Sequence, residues 1–174
     1  LYGSGRTVVP PLMRSGKVAV LAFIGSSKAA NSLQKEHPKP HRLRLVLGLE
    51  AKNPAIVLAD ADLDLAVAEC ITGSLSFNGQ RCTALKILFV DERVVVEFIA
   101  RFNKALASRG IGLPWQQDVM VTPLPEEDKP GYLTELVDDA RKSGAEVMNE
   151  QGGEVNLSFF YPALLYPVNA QMRV

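Results

Sequence analysis

The stretch Lys17-Val18-Ala19-Val20-Leu21-Ala22-Phe23-Ile24-Gly25-Ser26-Ser27 decides how the chain is read. From Val18 to Ile24 every residue is apolar, without the alternation of a strand that is wet on one face. That is the pattern of a buried parallel strand. Gly25-Ser26-Ser27 then turns the chain, and a helical pattern runs to about Glu36. Upstream, Thr7–Ser15 reads as a short helix with Pro10 and Pro11 in its first turn, where a missing N–H costs little. Downstream, Leu43–Glu50 and Ala55–Leu58 read as strands. Asp60 or Asp62 caps a helix over Leu63–Phe77. The loop Asn78–Thr83 follows, then a strand at Leu85–Val90 and an amphipathic helix at Val94–Ala107. Gly110–Pro125 is irregular, with Trp115 as a loop anchor. A helix over Glu126–Ser143, opened by acids and closed by Arg141, Lys142 and Gly144, precedes short strands at Ala145–Met148 and Phe159–Val168. Strands alternating with helices predict an α/β fold, a mostly parallel sheet with helices on both faces.

Nineteen basic residues balance nineteen acidic ones, so no global charge favours nucleic acid or an anionic membrane. The apolar runs are too short to span a bilayer. Six basic or histidine residues between Lys35 and Arg44 read as a solvated connection, because no aromatic residues interleave with them. His37 and His41 have no Cys or acidic partner nearby, so no metal is expected. Two cysteines, Cys70 and Cys82, make a poor disulfide framework and point to a reduced, cytoplasmic setting. Cys70 falls on the apolar face formed with Leu63, Val67 and Ile71 and is expected to be buried.

Cys82 differs. It follows a helix in a polar, Gly-containing loop beside Arg81. A reactive thiol needs exposure and a neighbouring cation, because the thiolate is the attacking species. The loop's N–H groups offer donors to an oxyanion. The residues alone leave two readings open, a nucleophile and a buried structural cysteine.

The run Ser76-Phe77-Asn78-Gly79-Gln80-Arg81-Cys82-Thr83-Ala84 resembles the cysteine signature of the aldehyde dehydrogenase family. Lys52-Asn53-Pro54-Ala55-Ile56-Val57-Leu58 and Asp60-Ala61-Asp62-Leu63-Asp64 are similar to the family's approach to that cysteine. Phe23-Ile24-Gly25-Ser26-Ser27 resembles its Phe-Thr-Gly-Ser-Thr turn, and Tyr161-Pro162-Ala163-Leu164-Leu165 a late strand. The resemblance implies a three-layer aldehyde-dehydrogenase-like fold. Residues 1–45 would end the dinucleotide-binding domain, and residues 46–174 would form part of the catalytic domain. It implies Cys82 as the nucleophile in NAD- or NADP-dependent oxidation of a small aldehyde through a thiohemiacetal and a thioester. Arg81 and Thr83 would contact substrate, and Gly25, Ser26, Ser27 and Leu49 the cofactor. The Gly-Gln-Arg-Cys-Thr-Ala run is closest in look to non-phosphorylating, NADP-using glyceraldehyde-3-phosphate dehydrogenases, in which the matching arginine binds phosphate.

The family's glutamate base belongs to a Leu-Glu-Leu-Gly-Gly-Lys motif. Here the run is Leu47-Gly48-Leu49-Glu50-Ala51-Lys52, so the base position is Gly48 and a glutamate stands at a family glycine. Residues two apart on a strand share a face, so Glu50 is expected to project into the same cleft and to replace the base. The family's remaining cofactor strands, oxyanion asparagine and assembly strands are expected outside this chain, so cofactor binding is expected of a longer polypeptide. Sheet edges exposed by such a cut would invite self-association into a homo-oligomer. Two other readings stand beside the dehydrogenase: an inactive remnant serving as a binding or interaction module, and a thioester-forming acyl-transfer or esterase domain that needs no cofactor.

Overall fold

The computed structural model describes residues 2–174, which form two compact units divided between Ala51 and Lys52. The first contains α1 (Gly5–Arg14), β1 (Val20–Gly25), α2 (Ser27–Glu36) and β2 (Arg44–Leu49). The strands pair in parallel from Val20↔Arg44 to Gly25↔Leu49, as the apolar run predicts, but β1 is not buried along its length as expected: Leu21 is buried, whereas Val20 and Ile24 are exposed. Met13 of α1, Leu21 of β1, Leu33 of α2 and Leu43 form its core. The buried His37 ties α2 to the strand: its Nε2–H donates to the Val18 carbonyl at 3.0 Å, and its Nδ1 accepts from the Lys39 N–H at 3.1 Å. Both ring nitrogens therefore serve the fold.

Helix α1 starts at Gly5 rather than Thr7, which places Pro10 and Pro11 inside it instead of in its first turn. The carbonyls that lose a main-chain donor belong to Arg6 and Thr7, both exposed, so water takes the place of the missing N–H groups.

The second unit contains β3 (Asn53–Val57), α3 (Leu63–Leu75), β4 (Leu85–Val90), α4 (Val95–Ala107), β5 (Gly110–Ile111), β6 (Val119–Val121), α5 (Lys129–Lys142) and four two-residue strands, β7 (Glu146–Val147), β8 (Val155–Asn156), β9 (Phe159–Phe160) and β10 (Leu165–Tyr166). The pairs β3–β4 and β5–β6 are parallel; β7–β10 and β8–β9 are antiparallel. Val57, Leu63, Val67, Cys70, Ile71, Phe98 and Phe102 make the core that seats α3 and α4 on β3–β4. Cys70 is buried, and that burial pushes its thiol pKa up. Asp62 is the N-cap of α3, its Oδ1 accepting from the Asp64 and Leu65 N–H groups at 3.0 and 3.1 Å. Helix α5 starts later than its acids suggest: Glu126, Glu127 and Asp128 precede it, and Pro130 sits in its first turn. Trp115 is 77% exposed and anchors nothing. No helix among the described residues is long and apolar enough to cross a membrane.

Candidate active site

The loop around Cys82 is held at several points. Helix α3 ends at Leu75, and a single 3-10 turn over Ser76–Gly79 carries the chain away from it. Phe77, Asn78 and Gly79 all take left-handed backbone, with φ of 55°, 58° and 66°. Glycine is needed at the last of these, where a Cβ would lie 2.7 Å from the Ser74 carbonyl oxygen. Asparagine tolerates this region, but phenylalanine is strained there by about 1–2 kcal/mol. The turn persists because its neighbours hold it. The Asn78 side chain donates to the Thr122 carbonyl at 3.1 Å and accepts from the Thr122 N–H at 2.9 Å. The Lys86 ammonium donates to the Gly79 carbonyl at 2.9 Å.

The far side of the loop is clamped by Asn53. Its Nδ2 donates to the carbonyls of Cys82 at 2.6 Å and Ala84 at 3.0 Å. Ala84 is fully buried and its N–H donates to the Arg81 carbonyl, while Arg81, Cys82 and Thr83 are exposed. The thiol therefore stands in solvent on a backbone fixed at both ends. The Arg81 guanidinium lies over the Phe77 ring, 5.3 Å from its centroid. Lys86 is a second cation within electrostatic reach of the thiol. Desolvation, then the charge of Lys52, lowers its pKa, and Cys82 acts in the opposite direction. Asn53, Asn78 and Lys86 escaped the reading of the sequence. The only local signal was an asparagine before Pro54 and another before Gly79.

Removing the Asn53 clamp leaves the Cys82 and Ala84 carbonyls without their side-chain donor. Asn53→Ala is expected to lower stability by about 1–2 kcal/mol. It should also speed hydrogen exchange at Ala84 while leaving α4 protected; equal exchange at Ala84 in both proteins would show that the clamp is slack.

The other predicted residues gather in the first unit. The last pair of β1 and β2, Gly25↔Leu49, brings the turn and the strand end level. Ser26 is the N-cap of α2, its Oγ accepting from the Ala29 N–H at 3.2 Å. The next free donor of that helix end, the Ser27 N–H, gives its hydrogen to Glu50 Oε2 at 2.6 Å. Glu50 thus differs from expectation. Strand β2 ends at Leu49, so the two-residue alternation from Gly48 does not extend to it. Its pKa is lowered by its own backbone N–H first and by Ser27 second, so its carboxylate stays ionised to lower pH than usual. A carboxylate on this N–H opposes a dinucleotide phosphate at the same donor, since two anions would share one positive helix end.

Gly48 is exposed, and a Cβ there would meet only Ile24 Cγ1 at 3.4 Å. Among the described residues no group of three or more His, Cys, Asp or Glu side chains is placed to hold a metal.

The aldehyde dehydrogenase family profile matches residues 1–174. The chain is 37% identical over 172 residues to an NADP-dependent glyceraldehyde-3-phosphate dehydrogenase of Pisum sativum, covering 99% of this chain and 33% of that protein. It is 35% identical over 178 residues to retinaldehyde dehydrogenase 3 of Homo sapiens, covering 99% of this chain and 34% of the relative. Among solved structures, glyceraldehyde-3-phosphate dehydrogenase of Methanocaldococcus jannaschii complexed with NADP matches 95% of this chain and 35% of its own, with a TM-score of 0.87 and 31% identity. The chain spans about a third of the length of these relatives.

Proposed function

The chain belongs to the aldehyde dehydrogenase family, and from that premise we propose that it carries the nucleophile segment of an enzyme that oxidises an aldehyde to a carboxylic acid. The observation that carries this reading is the exposed Cys82 thiol on a loop pinned by Asn53 and Asn78. Fixed backbone around a free thiol is the arrangement a covalent step needs, because the sulfur must meet the carbonyl at one distance and angle. The Cys82 thiolate attacks the aldehyde carbon. A C–S bond forms and the carbonyl electron pair moves to oxygen. Oxidation at that carbon leaves a thioester, which water must open. The oxidant is NAD or NADP; the relatives include enzymes named as NADP-dependent. In this reading residues 1–45 end the dinucleotide-binding domain and residues 46–174 form part of the catalytic domain; the two compact units divide a little later, between Ala51 and Lys52.

A phosphorylated aldehyde such as glyceraldehyde 3-phosphate is the favoured substrate. The exposed Arg81 offers a fork for a phosphate, and Phe77 beneath it limits the freedom that binding must remove. Thr83 lies on the same exposed stretch. Two free cysteines suit a reduced, cytoplasmic compartment.

The test is to mix this chain, carried in a polypeptide of its relatives' full length, with NADP and glyceraldehyde 3-phosphate, then with an unphosphorylated aldehyde. Reduced nicotinamide and an acylated Cys82 peptide are expected, with the phosphorylated substrate reacting faster. Absence of any adduct on Cys82 with either aldehyde would refute the reading. A second reading, a chain that folds and binds without turning over, is favoured by Gly48 at the base position. It predicts an adduct that forms once and is not released.

A further inference from the structure

We propose that Glu50 is an internal anion that closes the N-terminus of α2 and competes with nucleotide phosphate for the Ser27 N–H. The inference rests on the reading above, that the Gly25-Ser26-Ser27 turn faces the cofactor. Its own ground is geometric. Gly25↔Leu49 is the last pair of the parallel strands, so the residue after Leu49 emerges beside the start of α2. A glutamate at that place reaches the helix end without any rearrangement, and its Oε2 lies 2.6 Å from the Ser27 nitrogen.

The α2 terminus has few donors to share. Ser26 Oγ already accepts from Ala29, and Glu50 takes Ser27. An incoming phosphate at this helix end therefore meets a negative charge at the Ser27 donor. The carboxylate's lowered pKa is consistent with an anion held at this end. Glu50 is exposed, however, and can swing into water. The contact weakens binding and does not forbid it. Losing one anion from a helix terminus corresponds to a change in nucleotide affinity of about fivefold.

The experiment is calorimetric titration of NADP into this chain carried in a polypeptide of its relatives' full length, as wild type, Glu50→Gln and Glu50→Gly, with thermal melting of each. The glutamine keeps an acceptor for Ser27 but loses the charge; the glycine removes both. Both variants should bind NADP about fivefold more tightly than wild type, with melting temperatures within a few degrees of it. Binding by all three with equal affinity, or weaker binding by the variants, would overturn the proposal while leaving the cofactor reading intact. Failure of all three to bind NADP would overturn the cofactor reading and the proposal with it.

Discussion

Cys82→Ala is expected to reduce aldehyde oxidation at least about a thousandfold, because in the proposed reaction every later step takes place on the sulfur. Cys82→Ser should fail almost as badly, since a hydroxyl is a far weaker acid than a thiol and is scarcely ionised near neutral pH. The fold should not notice either change. Cys82 is exposed, and substitutions at such positions usually shift stability by no more than about 0.5 kcal/mol. Thiol counting gives an independent readout. Cys70 is 4% exposed and its pKa is raised by burial and by Glu69, so it is neither reachable nor ionised. Alkylation of the native wild-type protein should therefore label Cys82 alone, and the alanine variant should take no label until it is unfolded. Turnover by Cys82→Ala within tenfold of wild type would remove Cys82 from the mechanism. Labelling of Cys70 in the native protein would show that the α3 core opens readily.

Much of this arrangement was legible in the chain because it depends on short-range chemistry. The apolar run at Val18–Ile24 marks a strand, and β1 lies there, but the burial expected along all of it is met only at Leu21, while Val20 and Ile24 are exposed. Asp62 ahead of Leu63 marks a helix start because its carboxylate reaches N–H groups two and three residues on. The Cys82 loop was legible as a resemblance; its residues alone left an exposed nucleophile and a buried structural cysteine both open, and the structure exposes it. What escaped was long-range. Asn53 reaches a carbonyl 29 residues away, and Asn78 one 44 residues away. No periodicity encodes such contacts. Glu50 illustrates the same limit. Alternation predicts its direction only while the strand continues, and the strand stops one residue short of it. Beyond that point the nearest unsatisfied donor decides where a carboxylate goes, and here that donor is the N–H of Ser27, 23 residues back along the chain.

Gly48→Glu is expected to raise steady-state acid release by roughly a hundredfold while leaving the first turnover unchanged. A positioned general base typically contributes about 10²- to 10⁴-fold to proton transfer, and in the proposed reaction the group that needs one is the water that opens the thioester. The site can take the side chain. Gly48 lies in β2 with a backbone that any residue adopts, and its Cβ would meet Ile24 Cγ1 at an ordinary contact distance of 3.4 Å. Removing a glycine from a strand interior should also stabilise the unit by about 0.5–1 kcal/mol, opposing any cost of the added charge. The substitution separates the two roles open to Glu50. If Glu50 is the base, turnover is already supported, Glu50→Gln collapses it, and Gly48→Glu adds little. If Glu50 serves the helix end, Glu50→Gln leaves acid release unchanged and Gly48→Glu transforms it. Rapid-mixing measurement of the first equivalent of reduced nicotinamide, followed by the slower steady rate, distinguishes them. A rise in both phases together would place the effect of residue 48 before the thioester, and the assignment of its position as the base would then be wrong.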